Sequence, residues 1–256
     1  MSSGLDPLGL LRPGWPTPPG IRCAVTTRAT PGVSLGPHAR CNLGLRNGEA
    51  AETVRANRAL LRAALALPCE PLWLHQVHGR DVIDADAIGA GVEPRADAAI
   101  TRAPGRVLAV LTADCLPVLV AAADGSEIAV AHAGWRGLSA GVLEATIAAL
   151  RTPPARLLAW LGPCIGAASY EVGVEVRGAF VDTDACAAGA FTPTRPGHWT
   201  CDLAALARRR LLASGVTRIC GGDFDTRSDP RFYSHRRDPA ASGRFASLIW
   251  CDRARP

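Results

Sequence analysis

The amino-acid sequence predicts an α+β fold built around buried strands. Two apolar runs, LPVLVAAA and EIAVAHA, flank the turn-forming ADGS, and this pattern is typical of a buried hairpin. Two other stretches, LSAGVLEATIAALR and DLAALARRRLLASG, space their apolar residues at helical intervals. Because strands and helices are mixed without the regular alternation of a doubly wound parallel sheet, α+β is favoured over α/β.

The predicted elements follow one another along the whole chain. Residues 1–20 are rich in Pro and Gly and predict an irregular N-terminal arm, and residues 21–256 are expected to form a single catalytic domain. A strand begins at Ile21, and a helix over 49–67 is closed by Pro68. The other elements are strands over 72–85 and 107–111, the hairpin, a helix over 138–151, a strand in ARLLAWLGP and a helix over 202–215 with an Asp N-cap and a Gly C-cap.

Composition narrows the class of protein. A hydrophobic fraction of 48% can fill a core, but no window approaches the roughly 18 uninterrupted apolar residues of a membrane-spanning helix. The net charge of +5 is modest and the arginines are dispersed, which gives nucleic-acid binding little support. The first residues lack the pattern of a secretory signal, and the nine scattered cysteines are expected to be reduced thiols, so we expect a cytoplasmic protein.

Three short stretches place chemically capable side chains where apolar strands give way to loops: WLHQVHG, TADCLPV and AHAGWRG. Imidazole nitrogen and thiolate sulfur are ligands that zinc prefers, and three protein ligands with one open position are typical of catalytic zinc sites. We therefore predict a metal centre at His78, Cys115 and His132. Taken singly, Cys115 is also consistent with a small buried hydrophobe, and His132 with a hydrogen-bonded core histidine.

His75 and His78 compete for the ligand role in HQVHG. They are three residues apart, so in an extended strand they would point to opposite faces, and only one is expected to face the site. The other would then contact substrate, orient a ligand or lie on the surface.

Taken together, these stretches resemble the YfiH-like or laccase-domain family, also called the multicopper polyphenol oxidase family, whose members have been described as purine nucleoside phosphorylases. The resemblance runs from about Arg22 to Trp250 and rests on TTR with PGVS, CNLG, NRALL, HQVHG, RADA, TADCLPV, AHAGWRG, GPCIG with YEVG, and SHRRD with SGRFAS. It implies an α/β/β/α layered sandwich of mixed sheets, the fold that this family shares with cysteine hydrolases. It also implies a zinc ion on His78, Cys115 and His132.

The resemblance further implies phosphorolysis of adenosine, inosine, guanosine and methylthioadenosine, with adenosine deamination as a possible side activity. Some relatives lack the first His of HQVHG, which favours His78 over His75 as the ligand and leaves His75 as a candidate substrate contact. Relatives often have Tyr where this chain has His235, so base preference could differ here.

Other residues are candidates for the remaining roles. Arg136 offers a planar fork for a phosphate group. Arg28 and Asn42 are candidates for phosphate or ribose contact, with a loop salt bridge and an Asx turn as the alternatives. Asp114 is a candidate general acid or base, with the orientation of a ligand histidine as the alternative.

Three rival functions remain open from sequence. In a cysteine hydrolase that edits peptidoglycan precursor peptides, Cys115 would be the nucleophile and His132 the base. Copper-dependent phenol oxidation is less favoured, because the chain has only six histidines. A non-catalytic zinc module would need a fourth protein ligand, for which Cys164 is the candidate, although core packing is favoured for this residue. The oligomeric state, monomer or dimer, is left open.

Overall fold

A computed structural model describes residues 4–239 and 241–252. Its strands are β1 (Ile21–Val25), β2 (Val82–Asp84), β3 (Ala98–Thr101), β4 (Val107–Thr112), β5 (Leu116–Ala122), β6 (Ile128–Ala133), β7 (Leu157–Leu161), β8 (Glu171–Gly173), β9 (Phe191–Arg195), β10 (His198–Cys201), β11 (Arg218–Gly221) and β12 (Phe245–Cys251). Its α-helices are α1 (Ala51–Ala64), α2 (Trp135–Ala140), α3 (Val142–Ala149), α4 (Val174–Val181) and α5 (Leu203–Ala213).

The strands form three sheets. The first is antiparallel, with the order β1-β12-β4, and the second has six strands in the order β11-β7-β5-β6-β3-β2. In the six-stranded sheet only the outer pairs, β11 with β7 and β2 with β3, are parallel. A small third sheet has the order β8-β10-β9, and its Val172, Phe191 and Cys201 belong to the same apolar cluster as one face of the six-stranded sheet. The mixture of parallel and antiparallel pairs confirms the α+β class.

The two larger sheets pack face to face between helices. Leu248 of β12 packs with α1 in one apolar cluster, whereas the next residue, Ile249, belongs to the cluster shared with Leu119 of β5. Val118 points to the other side of the six-stranded sheet, where it packs with residues of α3 and α5. Since side chains alternate between the two faces of a strand, this pattern gives the layer order α/β/β/α and confirms the predicted fold.

Several predicted elements are present where the sequence placed them. The strand at Ile21 is β1, and the predicted hairpin is β5 and β6, which pair antiparallel. The helix predicted over 202–215 is α5. Its N-terminus is capped by Asp202, whose side chain accepts a hydrogen bond from the Ala205 N–H at 2.8 Å.

Three predicted elements need correction. The strand expected over 72–85 is mostly irregular: it makes isolated bridges at Leu72 and His75, and only β2 at its end is regular. The single helix expected over 138–151 is broken into α2 and α3 by Gly141, whose φ of 94° lies in the left-handed region. The helix expected to reach residue 67 ends at Ala64, because Ala66 adopts a φ of 46°.

The N-terminal arm lacks regular structure over the described residues 4–20 but packs closely on the sheet. Leu11 exchanges two backbone hydrogen bonds of 2.9 Å with Val25 of β1. Leu10 and Leu11 are fully buried, and Trp15 is nearly so. The arm therefore contributes apolar side chains to the core.

Candidate metal centre

Three side chains predicted as ligands come together at one end of the six-stranded sheet. The donor atoms of His78, Cys115 and His132 all lie within 4.8 Å of one another. Cys115 Sγ lies 3.8 Å from His78 Nε2, and the two imidazole rings meet edge to face at 4.8 Å between centroids. Residues that are far apart in sequence are thus brought into one group by the fold.

His132 is the most rigidly held of the three. It lies in β6 and is buried, and its Nδ1 lies 2.7 Å from Oδ1 of Asp97. With Nδ1 engaged by a carboxylate, Nε2 is the nitrogen left for a metal ion. A carboxylate behind a histidine ligand fixes the orientation of its ring and raises its basicity.

Asp97 also holds His78 in place. Its carboxylate accepts hydrogen bonds from the backbone N–H groups of Val77, His78 and Gly79 at 3.1, 2.9 and 2.7 Å. His78 has a φ of 60°, a left-handed conformation that is costly for a residue other than Gly and needs such support. This local anchoring explains why the segment before it is not a regular strand.

The buried carboxylate of Asp97 is stabilised as an anion. Burial raises its pKa, but the hydrogen bond and charge of His132 and the N–H groups of Gly79 and Val77 outweigh burial and lower it. Sequence reasoning assigned Asp97 no role. The available signal was the motif RADA, in which an acidic residue directly precedes the fully buried strand β3.

Cys115 lies in the tight connection between β4 and β5. Burial raises the pKa of its thiol, but the charge of His132 and hydrogen bonds from His132 and His78 lower it to about 6. Burial lowers the pKa of His132, while Cys115 and Asp97 raise it to about 9. The thiolate, the form that binds metals, is therefore favoured at neutral pH.

A glycine is required at position 134, where the AHAGWRG stretch passes close to the sulfur of Cys115. A Cβ added at Gly134 would lie 2.8 Å from Cys115 Sγ and 3.0 Å from His78 Cδ2. No real Cβ makes such contacts without displacing its neighbours. The glycine in AHAG thus allows the backbone to approach the predicted ligands.

The donor set fits a tetrahedral zinc ion. With Zn–S of about 2.3 Å and Zn–N of about 2.0–2.1 Å, sulfur and nitrogen lie about 3.6 Å apart across such an ion. The distance from Cys115 Sγ to His78 Nε2 is 3.8 Å. Cys164 is buried and is not part of the group, so the described residues provide three ligands and no closed four-ligand site.

A cavity of about 430 Å³, named here the ligand cavity, opens beside the group. All three predicted ligands line it, together with Arg46, Arg136, Arg244, His75 and His235 among others. Among the described residues, no Asp or Glu lines this cavity. Larger hollows of about 800 and 750 Å³ lie beside α1 and α5 and contain none of the ligands. The three predicted ligands therefore lie in the wall of the smaller cavity, which is lined by three arginines and whose volume suits a small molecule.

His75 faces the ligand cavity together with His78. The expectation that only one of the two would face the site is therefore wrong. It assumed an extended strand, whereas His78 has a left-handed backbone. His75 is held by its N–H, which donates to the Pro94 carbonyl at 2.9 Å.

Arg136 is exposed at the cavity, where its guanidinium stacks on the Trp135 ring at 4.4 Å. Arg28 does not line the cavity, and its guanidinium lies 5.1 Å from the centre of the Tyr233 ring. Asn42 is fully buried, and its Oδ1 accepts from the Gly44 N–H at 3.0 Å, which is an Asx turn. Asn42 thus shapes the cavity wall rather than contacting its contents.

Asp114, which precedes Cys115, fastens a distant loop. Its carboxylate accepts from Thr226 Oγ1 and from the Arg236 N–H, both at 2.6 Å, and it does not line the ligand cavity. Its φ of 87° is left-handed. The loop that it fastens carries His235, which does line the cavity.

Comparison with known proteins connects this geometry to a family. The family model described as multi-copper polyphenol oxidoreductase laccase matches residues 22–252. The chain belongs to this laccase-domain family. A laccase-domain relative from Xylella fastidiosa (strain 9a5c), named purine nucleoside phosphorylase, is 54% identical over 257 residues, which cover 96% of this chain and 98% of the relative.

Two further relatives extend the comparison. The Escherichia coli (strain K12) protein named purine nucleoside phosphorylase YfiH is 47% identical over 246 residues, covering 94% of this chain and 98% of the relative. The crystal structure of protein NMB0706 from Neisseria meningitidis superimposes with a TM-score of 0.91 at 42% identity, covering 96% of this chain and all of that one. The laccase-domain fold described above is thus shared with a solved structure.

None of the helices within the described part of this laccase-domain chain has the length and apolar character needed to cross a membrane.

Proposed function

We propose that this laccase-domain protein is a zinc-dependent purine nucleoside phosphorylase that accepts adenosine, inosine, guanosine and methylthioadenosine. The observation that carries the proposal is the three-ligand group of His78, Cys115 and His132 on the wall of the cationic ligand cavity. Three protein ligands leave one coordination position for chemistry. The names of the relatives from Xylella fastidiosa and Escherichia coli support the reaction class.

In this reaction phosphate attacks C1′ of the nucleoside while the bond from C1′ to the purine nitrogen breaks. The products are the free base and a sugar 1-phosphate, which is ribose 1-phosphate for the three ribonucleosides and 5-methylthioribose 1-phosphate for methylthioadenosine. Both phosphate and the departing purine bring negative charge. A cavity lined by arginine and histidine, and by no carboxylate of residues 4–239 and 241–252, favours such charge. A bound zinc ion would supply Lewis-acid stabilisation of negative charge at the same place.

The residues of the chain have distinct proposed roles. Arg136 is free of any ion pair among the described residues, so its guanidinium is available to phosphate oxygens. His75 and His235 are the candidates for protonating the departing base, because imidazoles are the side chains used most often for proton transfer. Asp114, first considered as an acid or base, is better suited to positioning, since two hydrogen bonds engage its carboxylate outside the cavity.

Adenosine deamination is included in the proposal because the family resemblance implies it. It would appear as phosphate-independent formation of inosine from adenosine.

A second candidate, the cysteine hydrolase, is favoured by a specific observation. The arrangement matches that of a cysteine hydrolase, with Cys115 as the nucleophile, His132 as the base and Asp97 as the carboxylate that orients the base. His132 Nδ1 lies 2.7 Å from Asp97 Oδ1. The peptide substrate proposed for such an enzyme is a peptidoglycan precursor. Copper-dependent phenol oxidation, which the family description names, is not proposed. A multicopper oxidase needs several copper sites, each with two or three imidazoles, and the described residues contain one group, with two imidazoles.

The deciding experiment is an assay of metal-quantified protein with the four nucleosides, each with and without phosphate. Phosphate-dependent release of the free base and the corresponding sugar 1-phosphate is expected, and chelation of the metal should abolish it. Base release that does not depend on phosphate would contradict phosphorolysis. Hydrolysis of precursor peptides that survives complete chelation would favour the cysteine hydrolase instead.

A further inference from the structure

Arg244 is a fixed, half-buried cation in the wall of the ligand cavity, and no role is yet assigned to it. It lies directly before β12 and has no carboxylate partner within ion-pair distance among residues 4–239 and 241–252. A guanidinium that is partly removed from water without a counter-ion is costly unless an anion joins it. The position therefore requires an explanation.

The surroundings of Arg244 hold it in one orientation. Its Nη1 donates to the carbonyls of Ser242 and Gly243 at 2.7 and 2.9 Å, and its backbone N–H donates to Asn42 Oδ1 at 2.8 Å. Gly44 packs against its stem so closely that an added Cβ would lie 2.7 Å from Arg244 Cγ. The side chain is thus positioned before any ligand arrives.

The anchoring leaves the other edge of the guanidinium free. Nε and Nη2 of Arg244 have no hydrogen-bond partner in the part of the chain that the structure describes. These two nitrogens form the fork that binds two oxygens of a phosphate group at once. Burial lowers the pKa of Arg244 and outweighs the charges of Cys115 and Asp114, which raise it. The guanidinium is still cationic at neutral pH, because the ordinary pKa of arginine lies above about 12.

Arg136 can add a contact to the same phosphate, but the other two arginines of the cavity are less suited to fixing its orientation. Arg46 is already paired with Glu93, at 3.2 Å between Nη1 and Oε2. Arg136 is exposed and its guanidinium rests on the Trp135 ring rather than on hydrogen bonds. Arg244 is the cavity arginine that is both anchored and without an acidic partner among the described residues.

We infer that the Nε and Nη2 edge of Arg244 binds the inorganic phosphate co-substrate beside the metal group. This assignment rests on the proposed function for the identity of the anion. Asn42, a predicted substrate contact, then acts indirectly: its side chain positions the backbone of Arg244, and Arg244 contacts the phosphate.

The test compares R244Q and R244K with the wild type and with R62Q. Arg62 lies on the exposed face of α1, away from the ligand cavity, and its side chain has no hydrogen bond to the described residues. KM is measured for phosphate at saturating inosine and for inosine at saturating phosphate. Zinc content and the thermal unfolding midpoint are recorded for each variant.

In R244Q the KM for phosphate should rise by at least about tenfold, because both charge-assisted hydrogen bonds are lost. The KM for inosine should change by less than about threefold, with zinc content unchanged. R244K keeps the positive charge but not the two-nitrogen fork, so its KM for phosphate should lie between those of the wild type and R244Q. R244K carries the test if R244Q does not fold. R62Q should match the wild type.

A phosphate KM in R244Q within about threefold of the wild type overturns the inference, as does an equal rise in both constants. If the wild type releases no base with phosphate, the proposed function fails, and direct titration of inorganic phosphate by calorimetry then decides the inference alone. Phosphate binding lost in R244Q and retained in R62Q supports an anion site at Arg244. Equal binding by R244Q and the wild type overturns it.

Discussion

Replacing Asp97 by Asn should weaken the proposed metal centre without changing any ligand. The Asp97 carboxylate accepts four hydrogen bonds, from His132 Nδ1 at 2.7 Å and from the N–H groups of Val77, His78 and Gly79 at 3.1, 2.9 and 2.7 Å. An amide keeps one accepting oxygen, but its NH₂ group donates. In either orientation of the amide, two donors therefore face the NH₂ group and lose their acceptor.

The size of the effect follows from these bonds. Hydrogen bonds to charged groups contribute about 1.5–3 kcal/mol each, so losing two should lower the free energy of unfolding by about 3 kcal/mol or more. His78 would also lose support for its left-handed backbone, which has a φ of 60°. Removing the partner of a metal-binding histidine typically weakens metal affinity by about 10–100-fold, and we expect the D97N variant to fall in this range.

The assay is zinc competition with a chromophoric chelator, combined with urea unfolding of the metal-free protein. D223N is the matched control, because Asp223 is exposed and its side chain makes no hydrogen bond to the described residues. The reasoning would be refuted if D97N bound zinc within about threefold of the wild type while D223N did the same.

Three other substitutions test separate parts of the account. The substitution Gly134→Ala should lower the free energy of unfolding of the metal-free protein by about 1–3 kcal/mol, because a Cβ 2.8 Å from Cys115 Sγ overpacks the site. Urea unfolding measures this, and an unchanged free energy of unfolding would contradict it. Asp114→Asn should raise the KM for nucleoside at unchanged zinc content, because it weakens the 2.6 Å hydrogen bond from the Arg236 N–H, which holds the loop that carries His235. A KM equal to that of the wild type would count against this positioning role. Burial raises the pKa of Glu93, but hydrogen bonds and charges from two arginines outweigh burial and lower it from 4.5. The ionised carboxylate therefore stabilises the fold above about pH 4.5, and this contribution is lost as the pH falls through the lower pKa of the folded state. Urea unfolding should therefore show a difference between wild type and Glu93→Gln at about pH 7 that shrinks at about pH 3, and an equal difference at both would contradict it.

Local signals in the sequence predicted the parts of the fold that local interactions determine. The hairpin of β5 and β6 is specified by its apolar runs and turn, and α5 by its Asp202 cap. The break at Gly141 was visible as a glycine within a helical pattern, but the pattern alone did not show that the backbone turns left-handed there. Short strands such as β3 and β11 have too few residues to stand out.

The sequence allowed the ligand residues of the candidate site to be predicted, but not the backbone conformation that positions them. His78, Cys115 and His132 are recognisable by chemical type and by their place at strand ends. The wrong expectation for His75 came from assuming a regular strand, whereas the backbone there is set by Asp97, about 20 residues further along the chain. Such long-range hydrogen bonds have no local signature.

Arg244 shows the same limit. In sequence it is one arginine among many. Its importance depends on the carbonyls of Ser242 and Gly243, which engage Nη1 of a side chain that lines the cavity. Asn42 was noticed for its motif, but its function as a support for Arg244 follows only from contacts across about 200 residues.

The central claim is that the group of His78, Cys115 and His132 serves the phosphorolysis of purine nucleosides. The most direct measurement is the rate of hypoxanthine release from inosine and phosphate by C115A, compared with the wild type and with C186A, whose cysteine is exposed and outside the group. The account predicts that C115A loses bound zinc and phosphorolysis together, while C186A keeps both. Full phosphorolysis by metal-free C115A would contradict it.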